Sequence, residues 1–435
     1  MNLLHAFAAL LVVAASGAAD AKEFFRSAKT PGGLTFWHLQ RPESPRSTII
    51  GSFGDDFALR HPDKIGAPAV GPSLLRSGPR GVSAGEFDEQ LRDIQAGGGV
   101  SSSAMYATFT VEAKPEDIGE AIELYVKVLT EPALRDRDLE RYKKNATTAR
   151  AQMETSPSAI ASWLSRRLVY GSSPFANWTE PEAIGRVTLA DIDQWRREVF
   201  ARDNVTIVAV GREDAATFGA HIDRAYGKLP EKAATGGAKP PALSFSGKTV
   251  VLERAMSQTA VAMLARLELD ALTDVMAFNI GNNAFGGGMD RRLGRAIRQG
   301  QGATYGIGSS IGQPAPGQRT LGISSSLAHD LAAGAIAKTL EEYGRWKREG
   351  LTEAEMAASR SLLATSFDRS TESPGGKAFS LLSLLRAGRA VEDEAGYTET
   401  FRSISLDHVN RVVRAQHTNA IQHIYRELLR QRVRL

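Results

Sequence analysis

The feature that most constrains the fold is an internal repeat with a period of about 215 residues. Amphipathic helices are predicted in both copies, because apolar residues recur there at helical spacing. The matched segments are residues 118–129 and 330–343, residues 134–139 and 351–355, and residues 187–192 and 404–409. Chance similarity would not reproduce one offset in successive comparisons, so we expect two halves of similar fold.

Within each half, predicted strands come first, helices follow, and a strand closes the half. The predicted strands are residues 48–53, 106–113 and 205–210 in the first half, and 249–253, 259–264, 320–325 and 420–425 in the second. Runs of strands and of helices favour an α+β fold, with two homologous halves that each form a largely antiparallel sheet with helices packed on one face. The predicted boundaries are 22–229 for the first half, 230–245 for a linker rich in Ala, Gly and Pro, and 246–435 for the second half.

Length and composition limit the possible classes of protein. The 435 residues exceed the usual size of one hydrophobic core, and the 42% of apolar and 23% of charged residues are typical of a globular protein. The net charge of +4 is too diffuse to predict nucleic-acid binding, and a solvated last helix explains the basic tail at residues 426–434 better than a lipid or nucleic-acid contact does. The chain contains no cysteine, which excludes disulfides and thiolate metal sites.

Residues 1–21 have the pattern of a signal peptide. A mostly apolar run over residues 3–15 is followed by small residues that end in Ala19-Asp20-Ala21, an A-x-A cleavage site. The run is too short for a membrane anchor, and no other stretch approaches the length of a membrane span. We therefore expect export to the periplasm and a mature chain that starts near Lys22.

A glycine-rich segment in the second half is the most specific motif. Gly286, Gly287 and Gly288 permit close approach or sharp turning of the backbone, and a helix and a turn lead from them to Arg298 and Tyr305. Arginine offers a rigid fork of donors to carbonyl groups, and a phenol can donate to a developing oxyanion. The residues alone leave a second interpretation open, in which the arginine is favoured by a helix C-terminus and the tyrosine is half-buried in a sheet.

This segment resembles the second-half signature of the pitrilysin, or insulinase-like, zinc peptidases. The match covers residues 286–305 closely, and the two-half organisation extends the resemblance over roughly residues 30–425. In that family an arginine and a tyrosine, seven residues apart, hold the substrate backbone in the active site of the first half. The resemblance places these roles on Arg298 and Tyr305, and it implies that residues 286–288 bind substrate. Gln299 stands where the family usually has glutamate, and Thr304 replaces a small apolar residue.

The first half lacks the chemistry that active members of this family carry. Their His-x-x-Glu-His motif binds zinc through two imidazoles one helical turn apart, and the glutamate activates the bound water. The matching positions here are Ala69, Pro72 and Ser73, and no glutamate occurs between Glu140 and Glu154, where the family has its further ligand. No two histidines have i, i+4 spacing; they are His5, His38, His61, His221, His329, His408, His417 and His423. We therefore expect no metal in this chain and zinc in a partner subunit.

Two further motifs lie in glycine-rich stretches. Near Gly97, Gly98 and Gly99, active relatives offer the edge of a strand to an extended substrate, whereas a flexible turn before a strand is the alternative interpretation. Residues 308–312 match the G-x-S-x-G pattern of serine hydrolases, but the prolines that follow favour a hairpin loop, so no stand-alone hydrolase is predicted.

The resemblance, together with the missing zinc ligands, implies a non-catalytic, substrate-binding subunit. It would form a heterodimer with an HxxEH-bearing homologue, supply Arg298 and Tyr305 to that partner's active site, and assist peptide hydrolysis without independent activity. The alternative is a structural or peptide-binding scaffold related to these peptidases, since loss of the zinc ligands fits both hypotheses. Retention of the Arg/Tyr pair favours the first.

Overall fold

The computed structural model describes residues 23–103, 105–245, 250–252, 256–300, 302–304, 306–315 and 317–416. The predicted signal peptide (residues 1–21), the predicted last strand (420–425) and the basic tail lie outside this part of the chain.

The first half contains a six-stranded sheet and its helices. The strands are Arg26–Lys29 (β1), Thr35–Gln40 (β2), Ser47–Gly54 (β3), Gly97–Ser102 (β4), Tyr106–Ala113 (β5) and Val205–Gly211 (β6). The α-helices are Phe57–Arg60 (α1), Ala67–Leu75 (α2), Ala84–Asp93 (α3), Ile118–Thr130 (α4), Asp136–Met153 (α5), Pro157–Tyr170 (α6), Pro181–Gly185 (α7), Leu189–Val199 (α8) and Ala215–Tyr226 (α9). Short 3₁₀ turns occupy Pro174–Ala176 and Arg202–Asn204.

The second half repeats the pattern of hairpin and helices. Its described strands are Gln258–Leu267 (β7), Ile307–Ala315 (β8) and Gln318–Ala328 (β9). Its α-helices are Leu272–Gly286 (α10), Ala332–Glu349 (α11), Glu353–Ser370 (α12), Pro374–Arg386 (α13), Glu392–Ala395 (α14), Tyr397–Ser403 (α15) and Leu406–Ala415 (α16), with a π-helix at Gly294–Gln299 and a 3₁₀ turn at His329–Leu331.

The first sheet has the strand order β1-β2-β6-β3-β5-β4, and only the β2–β6 pair is parallel. Alternation along β5 shows why it forms a half-buried strand: Phe109 and Val111 point into the core, whereas Thr108 and Thr110 point to the opposite face. Helices α2, α4, α8 and α9 cover the core face. The strand β4 lies at one edge of the sheet, which leaves one side of its backbone without a partner strand among the described residues.

The helices begin where the sequence supplies N-caps. Thr188 forms a capping box with Asp191 at the start of α8, and Thr352 forms one with Glu355 at the start of α12. Inside the first core, the buried Trp195 of α8 donates from Nε1 to Oδ2 of Asp55 at 2.8 Å. Local capping and a buried hydrogen bond therefore fix α8 against the start of α1.

Two equivalent helices are exchanged between the halves. The helix α13, from the second half, packs on the free face of the first sheet, where Leu381 and Leu382 contact Ile50 and Val208. The helix α6, from the first half, packs against β7 and β9 of the second. Both begin with a Ser-Pro pair, and Pro157 and Pro374 are 217 residues apart. The repeat seen in the sequence is therefore also a repeat in structure.

A polar cluster holds α13 in place at its first turns. Arg41 of the first half pairs with both carboxylate oxygens of Glu23, at 2.7 and 2.6 Å, and donates to the carbonyl oxygen of Glu372 at 2.8 Å. Lys377 of α13 lies 2.8 Å from the buried Glu394 and 3.6 Å from Glu23. Since these partners come from both halves, the cluster couples their relative positions.

The predicted linker has no helix or strand among its residues, but it is docked. Asp56 accepts hydrogen bonds from the amides of Gly236 and Ala238, at 2.9 and 3.1 Å. At its far end, Gln318 of the second half donates to the carbonyl oxygen of Pro241 at 2.7 Å. The segment is thus fixed to both halves, and the exact domain boundaries stay a prediction.

The α+β prediction is confirmed, as are predicted strands in both halves, at residues 48–53, 106–113, 205–210, 259–264 and 320–325. The prediction of a strand at residues 249–253 is wrong for Val250, Val251 and Leu252, which are exposed and irregular. The prediction that helices pack on one face of each sheet is also incomplete, because α13 covers the second face of the first sheet. None of the helices in the described ranges is long and apolar enough to cross a membrane.

Candidate functional site

The helix α2 occupies the place expected for a zinc-binding helix, but it carries none of the required groups. Ala69 and Ser73 lie one turn apart on its partly exposed face, and Pro72 is buried inside it. The hydroxyl group of Tyr142, on α5, donates to the carbonyl oxygen of Ala69 at 3.2 Å, and Arg76 donates to the hydroxyl oxygen of Ser73 at 3.3 Å. Burial raises the pKa of Tyr142. No three His, Cys, Asp or Glu side chains come together as metal ligands anywhere in the described ranges.

The three glycines at residues 97–99 lie within the edge strand β4. Gly98 and Gly99 have φ values of +148° and +145°, which side-chain-bearing residues rarely adopt. A Cβ atom on Gly98 would lie 2.1 Å from the carbonyl oxygen of Thr110, so β5 could not approach as it does. The alternative interpretation, a turn before the strand, is therefore wrong. A role of Gly97, Gly98 and Gly99 in binding substrate stays a prediction.

The glycines at residues 286–288 differ from one another in their surroundings. Gly286 is buried where α10 meets β8, and a Cβ atom there would lie 2.4 Å from Oγ of Ser309. Gly287 is exposed and Gly288 is partly exposed. Close packing accounts for the first glycine, whereas the other two leave backbone accessible beside the segment that leads to Arg298.

Arg298 lies at the end of the π-helix and is exposed. Its Nη1 atom lies 3.7 Å from the sulfur atom of Met289, and within the described part of the chain it forms no ion pair. The segment is anchored by Arg292, which is buried, pairs with both carboxylate oxygens of Glu355, and donates to the carbonyl oxygen of Gly350 at 2.7 Å. Despite burial, these contacts lower the pKa of Glu355 to about 2.

Tyr305 lies outside the described residues, so its distance from Arg298 is not part of the structure. The structure does explain the unusual Thr304. Its hydroxyl group donates to the carbonyl oxygen of Ser326 at 2.6 Å and accepts from the amide of Gly306 at 3.0 Å. A hydroxyl at this position thus ties the turn before β8 to β9, which a small apolar residue could not do.

The comparisons with known proteins agree with this arrangement. Residues 186–363, which include the glycine-rich segment and Arg298, match the family model described as the peptidase M16 inactive domain. This segment is an inactive-type domain of the M16, or pitrilysin-like, peptidases. No curated protein matches the chain significantly.

Solved structures share the fold of this chain at low sequence identity. The peptidase M16 inactive domain from Pseudomonas fluorescens has 20% identity and a TM-score of 0.80, with 91% of this chain and 95% of that one covered. The periplasmic protease PqqL from Escherichia coli has 16% identity and a TM-score of 0.77; the match covers 92% of this chain but only 46% of PqqL. A chain of Complex III2 from Candida albicans has 13% identity and a TM-score of 0.70, with 90% and 93% covered.

Sequence reasoning missed one residue that lies on the first sheet. Arg386, in the last turn of α13, crosses from the second half to the first sheet. Its guanidinium donates to Oγ of Ser52 at 2.7 Å and to Oγ1 of Thr108 at 2.5 Å, and it lies 4.5 Å from the centre of the Tyr106 ring. Nothing local in the sequence indicates this contact, because its partners lie about 280 residues or more away along the chain.

Proposed function

We propose that this chain is the non-catalytic, substrate-binding subunit of a heterodimeric M16 zinc metallopeptidase. The observation that carries the proposal is the contrast between two helical segments. The helix α2 has Ala69, Pro72 and Ser73 where zinc ligands and a base would be needed, so these residues do not fit the metal. The π-helix, in contrast, presents Arg298 to solvent without an ion pair in the described part of the chain.

The proposed division of roles follows from the chemistry of these groups. A partner with an intact HxxEH helix would hold zinc and the general base. In this chain, the Arg298 guanidinium would donate to the carbonyl groups of a bound peptide, and the Tyr305 phenol would donate to the oxyanion that forms at the scissile carbonyl. Both groups donate hydrogen bonds and neither needs to bind a metal.

The proposed ligand is an extended peptide. The free edge of β4, with Gly97, Gly98 and Gly99, offers backbone donors and acceptors to an added strand. A folded protein cannot pair its backbone in this way, so partly unfolded segments are the favoured substrates. The accessible backbone at Gly287 and Gly288 is proposed as a second contact with the peptide. The buried Gly286 instead packs against Ser309 and holds this segment in place.

The proposed location is the periplasm. The proposal rests on the signal-peptide pattern of residues 1–21, and the similar PqqL is described as a periplasmic protease.

Co-expression with an HxxEH-bearing homologue and a quenched fluorescent peptide tests the proposal. Neither chain alone should cleave, the mixture should cleave, and Arg298→Ala with Tyr305→Phe should lower the rate by about 10²-fold through loss of transition-state donors. Arg295→Ala is a matched control, because Arg295 is an exposed arginine of the same π-helix whose guanidinium lies 3.9 Å from Glu355. A partner that cleaves equally well alone would refute the proposal.

A second candidate is a scaffold without a catalytic contribution. The likeness to a chain of Complex III2 from Candida albicans favours it, since that protein is not described as a peptidase. The same assay separates the two functions. A scaffold would leave the rate of the mixture unchanged when Arg298 and Tyr305 are replaced.

A further inference from the structure

We infer that Arg386 forms a carboxylate-binding subsite beside the edge strand β4. This inference rests on the proposed function, because the carboxylate would belong to an extended peptide paired with that edge. It adds a class of substrate, namely peptides that carry an acidic side chain or a free C-terminal carboxylate near β4.

The first observation is the charge of Arg386. Its guanidinium is partly buried, donates to two hydroxyl groups, lies over an aromatic ring, and forms no ion pair within the described ranges. Burial lowers the pKa of Arg386, and the electrostatic interaction with Tyr106 partly opposes this effect. A partly desolvated cation without an anion gains more from a carboxylate than a hydrated one does.

The second observation is the pattern of hydrogen bonds. Ser52 and Thr108 are opposite each other on β3 and β5, and they bind Nε and Nη2 of Arg386. The Nη1 atom has no hydrogen-bond partner in the described part of the chain. The guanidinium is thus held in a fixed orientation while two of its donors stay available.

The third observation is the small size of the β4 side chains on the face where Arg386 lies. The register places Ser101 opposite Thr108, Gly99 opposite Thr110 and Gly97 opposite Glu112, so these β4 residues share the face on which Arg386 lies. On that face β4 therefore presents only two glycines and a serine. No large side chain of β4 separates the guanidinium from a strand added at the edge.

An added peptide would complete the arrangement. A residue paired with Ser101 would direct its side chain to the same face, about 10 Å from Thr108 at two strand spacings. An acidic side chain there would lean across Ser101 toward Arg386. At the other end of the strand, Glu112 is already paired with Arg46 at 2.5 Å, so it does not neutralise the subsite.

Binding of matched peptides to the full chain tests this inference. Three labelled peptides of alternating Val and Thr differ only in carboxylates: one has a central Glu and an amidated end, one a central Gln and an amidated end, and one a central Gln and a free C-terminus. Fluorescence anisotropy should show that a carboxylate-bearing peptide binds about 10-fold more tightly than the neutral one. Comparison of the first and third peptides identifies the source of the carboxylate.

Two substitutions assign the preference to one residue. Arg386→Met should remove the preference and leave affinity for the neutral peptide unchanged. Arg411→Met changes the net charge equally at an exposed position of α16, and it should retain the preference. A purely structural Arg386 would instead weaken all three peptides together, which would overturn the inference.

The outcomes separate this inference from the proposed function. If the neutral and acidic peptides bind the wild-type chain equally, peptide binding stands and the carboxylate subsite is refuted. If no peptide binds, both are refuted. Should Arg386→Met fail to fold, the wild-type comparison still decides whether a carboxylate is recognised, and Arg386→Lys, which keeps the charge, should retain part of the preference.

Discussion

Leu382 offers a direct test of the helix exchange, because its side chain comes from the second half and is buried on the sheet of the first. The side chain is completely buried between α13 and the strands that carry Ile50 and Val208. Replacement by alanine removes three buried carbon atoms with their hydrogens. At ~0.8 kcal/mol for each, the lost burial amounts to roughly 2.4 kcal/mol. The cavity left behind adds to this loss, so Leu382→Ala should lower the free energy of unfolding by about 3 kcal/mol.

Urea denaturation followed by tryptophan fluorescence would measure this change. Four of the five tryptophans lie in the first half, and Trp346 lies in the second, so both halves contribute to the signal. Amide hydrogen exchange would then show where protection is lost. We expect faster exchange in β3 and β6 as well as in α13, because removing the contact exposes both surfaces.

The matched control is Leu362→Ala on α12. Leu362 is 46% exposed, so its replacement should cost less than about 1 kcal/mol. The reasoning is refuted if Leu382→Ala costs no more than the control, or if exchange increases in the second half alone. Either result would mean that α13 does not stabilise the first sheet.

Four further predictions concern buried charges and metal. Glu355→Gln should lower the free energy of unfolding by about 2 kcal/mol at pH 7, because it leaves Arg292 unpaired. In urea titrations, the stability difference between wild type and variant should be full above pH 4.5 and should vanish as the pH falls toward 2. A difference that does not change with pH would contradict this prediction. Burial raises the pKa of Asp55 to about 6, so its contribution to stability is lost as pH rises from 3.8 to 6. Asp55→Asn should therefore remove the decrease in the free energy of unfolding over this pH range. An unchanged decrease would mean that another group causes it. Glu180→Gln should lower the free energy of unfolding by about 1–2 kcal/mol and shift Trp163 fluorescence, because it weakens the hydrogen bonds that Glu180 accepts from α5 and α6. An unchanged melting temperature and emission spectrum would show that Glu180 does not hold these helices together. EDTA should leave the melting temperature of the isolated chain unchanged, and a drop would reveal a structural metal.

Local patterns in the sequence predicted the elements well. The predicted strand at residues 106–113 is β5, where Phe109 and Val111 alternate with threonines, and the predicted helical segment at residues 351–355 contains the capped start of α12. Both signals act over a few residues, through side-chain direction and hydrogen bonds to the helix N-terminus. The absence of zinc ligands at Ala69 and Ser73 was also predicted from the sequence, because the His-x-x-Glu-His motif spans only five residues.

Contacts between distant segments could not be predicted in this way. The Ser-Pro start of α13 says that a helix begins, but not that the helix lies on the other half's sheet. In the sequence, Arg386 is an ordinary arginine at the C-terminal end of a helix. Only the packing of α13 on the sheet of the other half brings it to Ser52 and Thr108. The glycines at residues 97–99 were also ambiguous, since a turn and a strand with positive φ both require glycine.

The exchanged helices also have a consequence for synthesis on the ribosome. The first sheet is complete once β6 has emerged at Gly211, but the helix that covers its second face begins only at Pro374. During that interval Leu39, Ile50 and Val210 would remain open to water. We therefore expect the nascent first half to stay incompletely folded and to bind holdase chaperones until most of the chain has been made. A delay of this kind would keep the chain in a state that can still be threaded through a translocation channel.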